Sequence, residues 1–188
     1  VRAHFAVSTN HRTGEAVSIR FIRFISSRWT RLVLVASVVL GFQTTIFDDL
    51  RPFGVMVQVM VLFAACAGVV YGAEIGAVAG LIVGLMYDCV LTTPLGLASL
   101  VLGATALIAG AFPYFVRDSS WWNKAIAVAV ASAIGEILFP IAQALVGLGG
   151  WVQWRVIGVA LVVAIFNLLL APLLMPVVRW TLKETLVG

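Results

Sequence analysis

Charge is scarce in this sequence: Asp, Glu, Lys and Arg make up 11% of 188 residues, while 62% belong to the apolar set. A water-soluble domain carries about 25% charged residues, and an apolar excess of this size is more than one aqueous core can hide. Lipid removes the need to hide it, so a mean hydropathy of +1.11 points to a membrane protein with no soluble domain. Histidine and cysteine are sparse too, at two each. Both histidines, His4 and His11, fall in the polar first segment. The apolar runs therefore hold no Ser, His and Asp set and no metal-binding cluster, and no phosphate-cradling GxxxxGKS or GKT loop occurs. A non-enzymatic protein without cofactor or metal is expected. Cys66 and Cys89 both sit in apolar runs, at depths too different for a disulfide, and read as packing residues.

The net charge of +4 does not imply nucleic acid, because the cations gather at the edges of apolar runs. Arg20, Arg23, Arg28 and Arg31 precede the first run, where they suit anionic lipid headgroups and set topology. Residues 1–28 are predicted to be a flexible cytoplasmic tail with a basic juxtamembrane segment. The first 18 residues lack the apolar stretch of a signal peptide.

Runs of about 17–25 apolar residues mark spanning helices, predicted at 31–47, 53–71, 73–91, 94–115, 124–147 and 153–178. One helix over 53–91 would rise about 58 Å, nearly twice a hydrocarbon core, so Tyr71 and Gly72 are read as a join. The expected fold is an all-α, polytopic bundle of six transmembrane helices over 29–183, followed by a short cytoplasmic end at 184–188. On this layout ten of the twelve Lys and Arg residues lie on one side, leaving only Arg51 and Arg155 on the other. The positive-inside rule then puts both termini in the cytoplasm. Trp29, Trp121, Trp122, Trp151, Trp154 and Trp180 all fall at span ends, where amphipathic rings settle.

Within the spans, Gly68, Gly72, Gly76, Gly80 and Gly84 recur every fourth residue as a ridge without side chains. Such ridges let helices approach closely in lipid; packing within the bundle is the default reading and a partner's docking surface the alternative. Asp88, near a helix C-terminus, opposes the macrodipole and is expected to need a compensating contact, with Arg51 or Arg155 as the available cations. A structural ion pair is favoured there over a proton or substrate site. Thr93 and Pro94 read as the N-cap and first residue of the fourth span. Glu136 lies roughly 18 Å along the fifth span, where a carboxyl cannot face lipid cheaply, and Asn167 is its candidate partner. Pro140 cannot donate to the Glu136 carbonyl, and Pro172 and Pro176 should bend the sixth span. Glu136 suits either a rigid structural hydrogen bond or an ion-coupled transporter.

Three of these elements resemble the MreD family, the rod shape-determining membrane proteins of bacteria: Arg51 with Pro52; the segment GAEIGAVAGLIVGLMYDCVLTTPLGLASL with Gly80, Gly84, Asp88, Pro94, Gly96 and Leu97; and Asn167 followed five residues later by Pro172. The resemblance covers most of residues 31–183. The sequence departs from the family in having Phe53 where a polar residue often follows the Arg-Pro pair, and in a longer N-terminal tail. The resemblance implies a component of the lateral-wall elongation machinery in the cytoplasmic membrane, associated with MreC, MreB, and RodA with its penicillin-binding partner. It also implies a fold similar to the substrate-binding subunits of energy-coupling-factor transporters. The alternative function is therefore a small-molecule, vitamin-like binding subunit of a membrane transporter.

Overall fold

Six of the apolar runs become helices, and their lengths follow from where glycine, proline and buried polar groups interrupt them. The computed structural model describes residues 27–45, 58–114, 120–148 and 154–183. The expected tail up to residue 26, the pair Arg51 and Pro52, and residues 184–188 lie outside the described residues, and Arg28, expected in the tail, opens the first helix. The α-helices are α1 (Arg28–Thr45), α2 (Val59–Tyr71), α3 (Ala73–Asp88), α4 (Leu97–Ala111), α5 (Trp121–Leu145) and α6 (Trp154–Leu182), with a 3-10 turn at Phe112–Tyr114. No strand occurs among the described residues.

Helix α2 is apolar all round, and every side chain from Val59 to Val69 is buried. A helix without a polar face belongs at the centre of a bundle, and α2 packs against all five others. Gly72 alone joins it to α3, at φ 86° and ψ 172°, a conformation that favours glycine. The chain reverses there, and Gly76 of α3 comes to lie against Gly68 of α2: a Cβ added at Gly76 would stand 2.4 Å from the Gly68 Cα.

Beyond the reversal, α3 lies antiparallel to α4, backbone on backbone. A Cβ at Gly80 would stand 2.6 Å from the Leu102 carbonyl oxygen, and one at Gly84 would stand 2.4 Å from the Ser99 Cα. Gly68 meets Ala106 and Gly110 of α4 in the same way. The ridge is therefore divided between two helices at Gly72, and the faces of Gly68, Gly76, Gly80 and Gly84 are filled from within the chain.

Two helices, α5 and α6, are long and apolar enough to cross a membrane. Helices α2 and α4 are apolar but have 13 and 15 residues, about 20–22 Å at the α-helical rise, and α3 has 16. Large apolar side chains cover the outside: Leu34, Val38 and Phe42 on α1, and Leu161, Ile165, Leu169 and Leu173 on α6 are exposed. Pro172 and Pro176 also lie on this outer face, and α6 continues through both. The interior holds the polar side chains of Gln43, Asp88, Ser132, Glu136 and Asn167.

Replacing Gly84 by Ala is expected to destabilise the protein by about 1–3 kcal/mol through overpacking against backbone that cannot yield. Gly41 and Gly158, with nothing within 4 Å of an added Cβ, should tolerate Ala without loss. Thermal melts of the detergent-solubilised variants check this, and equal shifts in both sets would refute the backbone contact.

Candidate functional site

Asp88 closes α3 and is 3% exposed. Residues 89–96 turn the chain back, and Gly96, at φ 98° and ψ −15°, supplies the left-handed step before α4 begins. The first amides of α4 then point at the carboxylate. Asp88 Oδ2 accepts from the Gly96 N–H and the Ser99 N–H, each at 2.9 Å, and Oδ1 accepts from the Ala98 N–H at 2.8 Å. A helix start leaves several amides without intrahelical partners, and glycine at the cap position offers no side chain to meet them. Asp88 meets them from the preceding helix.

This corrects the expected pairing of Asp88 with Arg155. The compensating charge is the positive end of the α4 dipole and its N–H groups; the contact does not run to Arg155, and Arg51 lies outside the described residues. The expected cap at Thr93 and Pro94 is corrected too, because α4 starts at Leu97 and the buried Thr93 Oγ1 has no hydrogen-bond partner among the described residues. The Ser99 hydroxyl donates to the Leu81 carbonyl at 2.7 Å, so the turn is fastened to α3 at two levels.

A second polar group gathers where α1, α2, α3 and α5 meet. Glu136 is 6% exposed on α5, and its Oε2 accepts from Gln58 Nε2 at 3.0 Å. Its partner is thus Gln58, at the start of α2, and not Asn167 as depth along the spans suggested. From α1, Gln43 Oε1 accepts the Met60 N–H at 2.9 Å, which satisfies a donor in the first turn of α2. Tyr87 of α3 lies near both Gln43 and Glu136. Sequence reading passed over Gln43, Gln58 and Tyr87; the available signal was an amide side chain inside or at the mouth of an apolar run, which burial turns into an obligatory hydrogen-bonding group.

Four side chains in this interior keep polar atoms without a hydrogen-bond partner among the described residues: Gln58 Oε1, Glu136 Oε1, Ser132 Oγ, and both Oδ1 and Nδ2 of Asn167. Ser132 precedes Glu136 by four residues on the same face of α5. Small residues let α5 come close here, since a Cβ at Gly135 would stand 2.5 Å from Thr105 Oγ1 of α4.

The opposite end of the bundle carries most of the described cations. The Arg31 guanidinium of α1 donates to the carbonyls of Trp180, at 3.4 Å, and Lys183, and lies 5.8 Å from the Trp180 ring centroid. The Tyr71 hydroxyl donates to the Arg179 carbonyl at 2.5 Å. Donors from α1 and α2 thereby satisfy the last carbonyls of α6, and the start of α1 and the end of α6 share one end of the bundle. Cys66 is buried within α2 as a packing residue, whereas Cys89, in the turn after Asp88, is exposed and not a packing residue. Among the described residues no three His, Cys, Asp or Glu side chains gather to hold a metal ion.

Asp88→Ala removes three charge-assisted hydrogen bonds and is expected to cost about 2–4 kcal/mol, whereas Thr93→Val should change stability by less than about 0.5 kcal/mol. Paired thermal melts measure both, and a small Asp88 effect would show that water replaces the carboxylate. No protein-family model, curated protein or solved structure matches the chain.

Proposed function

We propose that this protein is a non-enzymatic membrane scaffold of the bacterial elongation machinery, a six-span member of the MreD type acting with MreC, MreB, and RodA with its penicillin-binding partner. The observation that carries the reading is the build of the segment Gly76–Ser99, the most specific part of the resemblance. Gly76, Gly80 and Gly84 are committed to close helix contact and its one carboxylate to holding a helix start. Such a segment has the build of a rigid frame.

A crossing by all six helices is supported by the inversion of polarity, with apolar side chains outside and polar ones within. The short helices α2 to α4 are compatible with it, because a helix end buried in protein need not match the bilayer by itself. Both termini are assigned to the cytoplasm by the charge count, and the Arg31 contact with the end of α6 agrees with a shared side. On this reading Trp121, Trp122, Trp154 and Trp180, all exposed at helix ends, are interfacial anchors.

A second reading, a vitamin-like binding subunit of a transporter, is favoured by the unpartnered polar atoms around Glu136. Radiolabelled vitamin binding to the purified protein separates the two, and saturable binding would favour this second reading.

Depletion in a rod-shaped bacterium that carries the protein is expected to give rounded, widened cells by phase microscopy; rods of unchanged width would overturn the scaffold assignment. Orientation has its own check. A membrane-impermeant maleimide on intact spheroplasts should label exposed Cys89 and leave buried Cys66 unmodified, while labelling of Cys89 only after permeabilisation would reverse the topology.

A further inference from the structure

We propose that the oxygens of Gln58, Ser132, Glu136 and Asn167 form a binding site for one small monovalent cation of the sodium kind inside the bundle. Asn167 is fully buried with every side-chain polar atom unpartnered, and Ser132 is fully buried with its hydroxyl unpartnered. Buried groups of this kind are rarely left alone in a native protein; each costs the full desolvation of its dipoles unless something meets it.

Gln58, Glu136 and Ser132 form one group, and the position of Asn167 along α6 sets it at a comparable depth on the face turned toward them. Gln58 and Glu136 touch at 3.0 Å, and Ser132 lies one turn further along the same face of α5. Ser132 stands thirteen residues before the end of α5 and Asn167 thirteen after the start of α6, about 20 Å from those ends in each case. The buried face of α6, with Ala160, Val163, Asn167 and Ala171, is the one turned into the bundle.

The chemistry of the unpartnered atoms selects the ligand. They are four oxygens against one amide nitrogen, and Pro140 leaves the backbone carbonyl of Glu136 without its helical donor as a further oxygen. The amide nitrogen is a donor and does not ligate, and oxygen ligands suit hard cations rather than the transition metals that favour nitrogen or sulfur. One carboxylate among neutral oxygens balances a single positive charge, and a divalent ion would leave an excess charge in a medium of low dielectric. The described cations do not supply that charge, since Arg28, Arg31, Lys124, Arg155, Arg179 and Lys183 all sit at or near helix ends.

The test uses the full chain in nanodiscs, melted in sodium chloride and in choline chloride at equal ionic strength. Sodium at a hundred times its dissociation constant should raise the Tm by roughly 5 °C or more, in a saturable manner, and the rise should vanish in Glu136→Gln and Asn167→Ala. Should those variants fail to fold, binding of radioactive sodium to the wild-type protein by scintillation proximity decides the matter, with one site per chain expected. A Tm that does not distinguish sodium from choline, or a rise of equal size in the Asn167→Ala protein, would overturn the proposal. Neither readout depends on cell shape, so the scaffold assignment stands or falls separately.

Discussion

Backbone-to-backbone contact along α3 is the constraint on which the other features rest. Gly76 meets α2, and Gly80 and Gly84 meet α4, at separations where a single added methyl group would enter backbone atoms. In lipid, helices gain little from excluding solvent, so association depends on how closely their atoms approach. The glycines bring three helices into one unit. That closeness sets the height at which α3 ends against α4, and so places the Asp88 carboxylate beside amides it can hold.

Charge then follows packing and does not direct it. Asp88 is held by a helix start that glycine leaves bare. Arg31 and Tyr71 are used in the complementary way, against helix-end carbonyls. Each end of the bundle thus couples a charged or polar side chain to a helix terminus of opposite partial charge. The Glu136 region departs furthest from this economy, keeping several acceptor oxygens that meet no donor among the described residues, and departures of this kind mark places where a protein does something besides hold its shape.

Much of the architecture was legible because apolar run length is a one-dimensional signal. The six runs and the join at Gly72 correspond to the six α-helices. Helix ends were less legible: α4 begins at Leu97, because a carboxylate eight residues before Gly96 outweighs the local signal of Thr93 and Pro94. The role of Asp88 was misread for the same reason, since distance along the chain hides a turn that brings a helix start back to it. Glu136 was recognised as costly, yet its partner was misassigned to Asn167. Counting residues gives depth in a bundle but not which helices are neighbours, and Gln58 reaches Glu136 sideways, from a different helix.

The clasp between Arg31 and the carbonyls of Trp180 and Lys183 joins the first helix to the last. During synthesis these groups emerge about 150 residues apart, or roughly 8–30 s at ordinary elongation rates. α1 therefore leaves the ribosome well before the end of α6 that locks it, and until that end emerges α1 relies on its side contacts with the other helices.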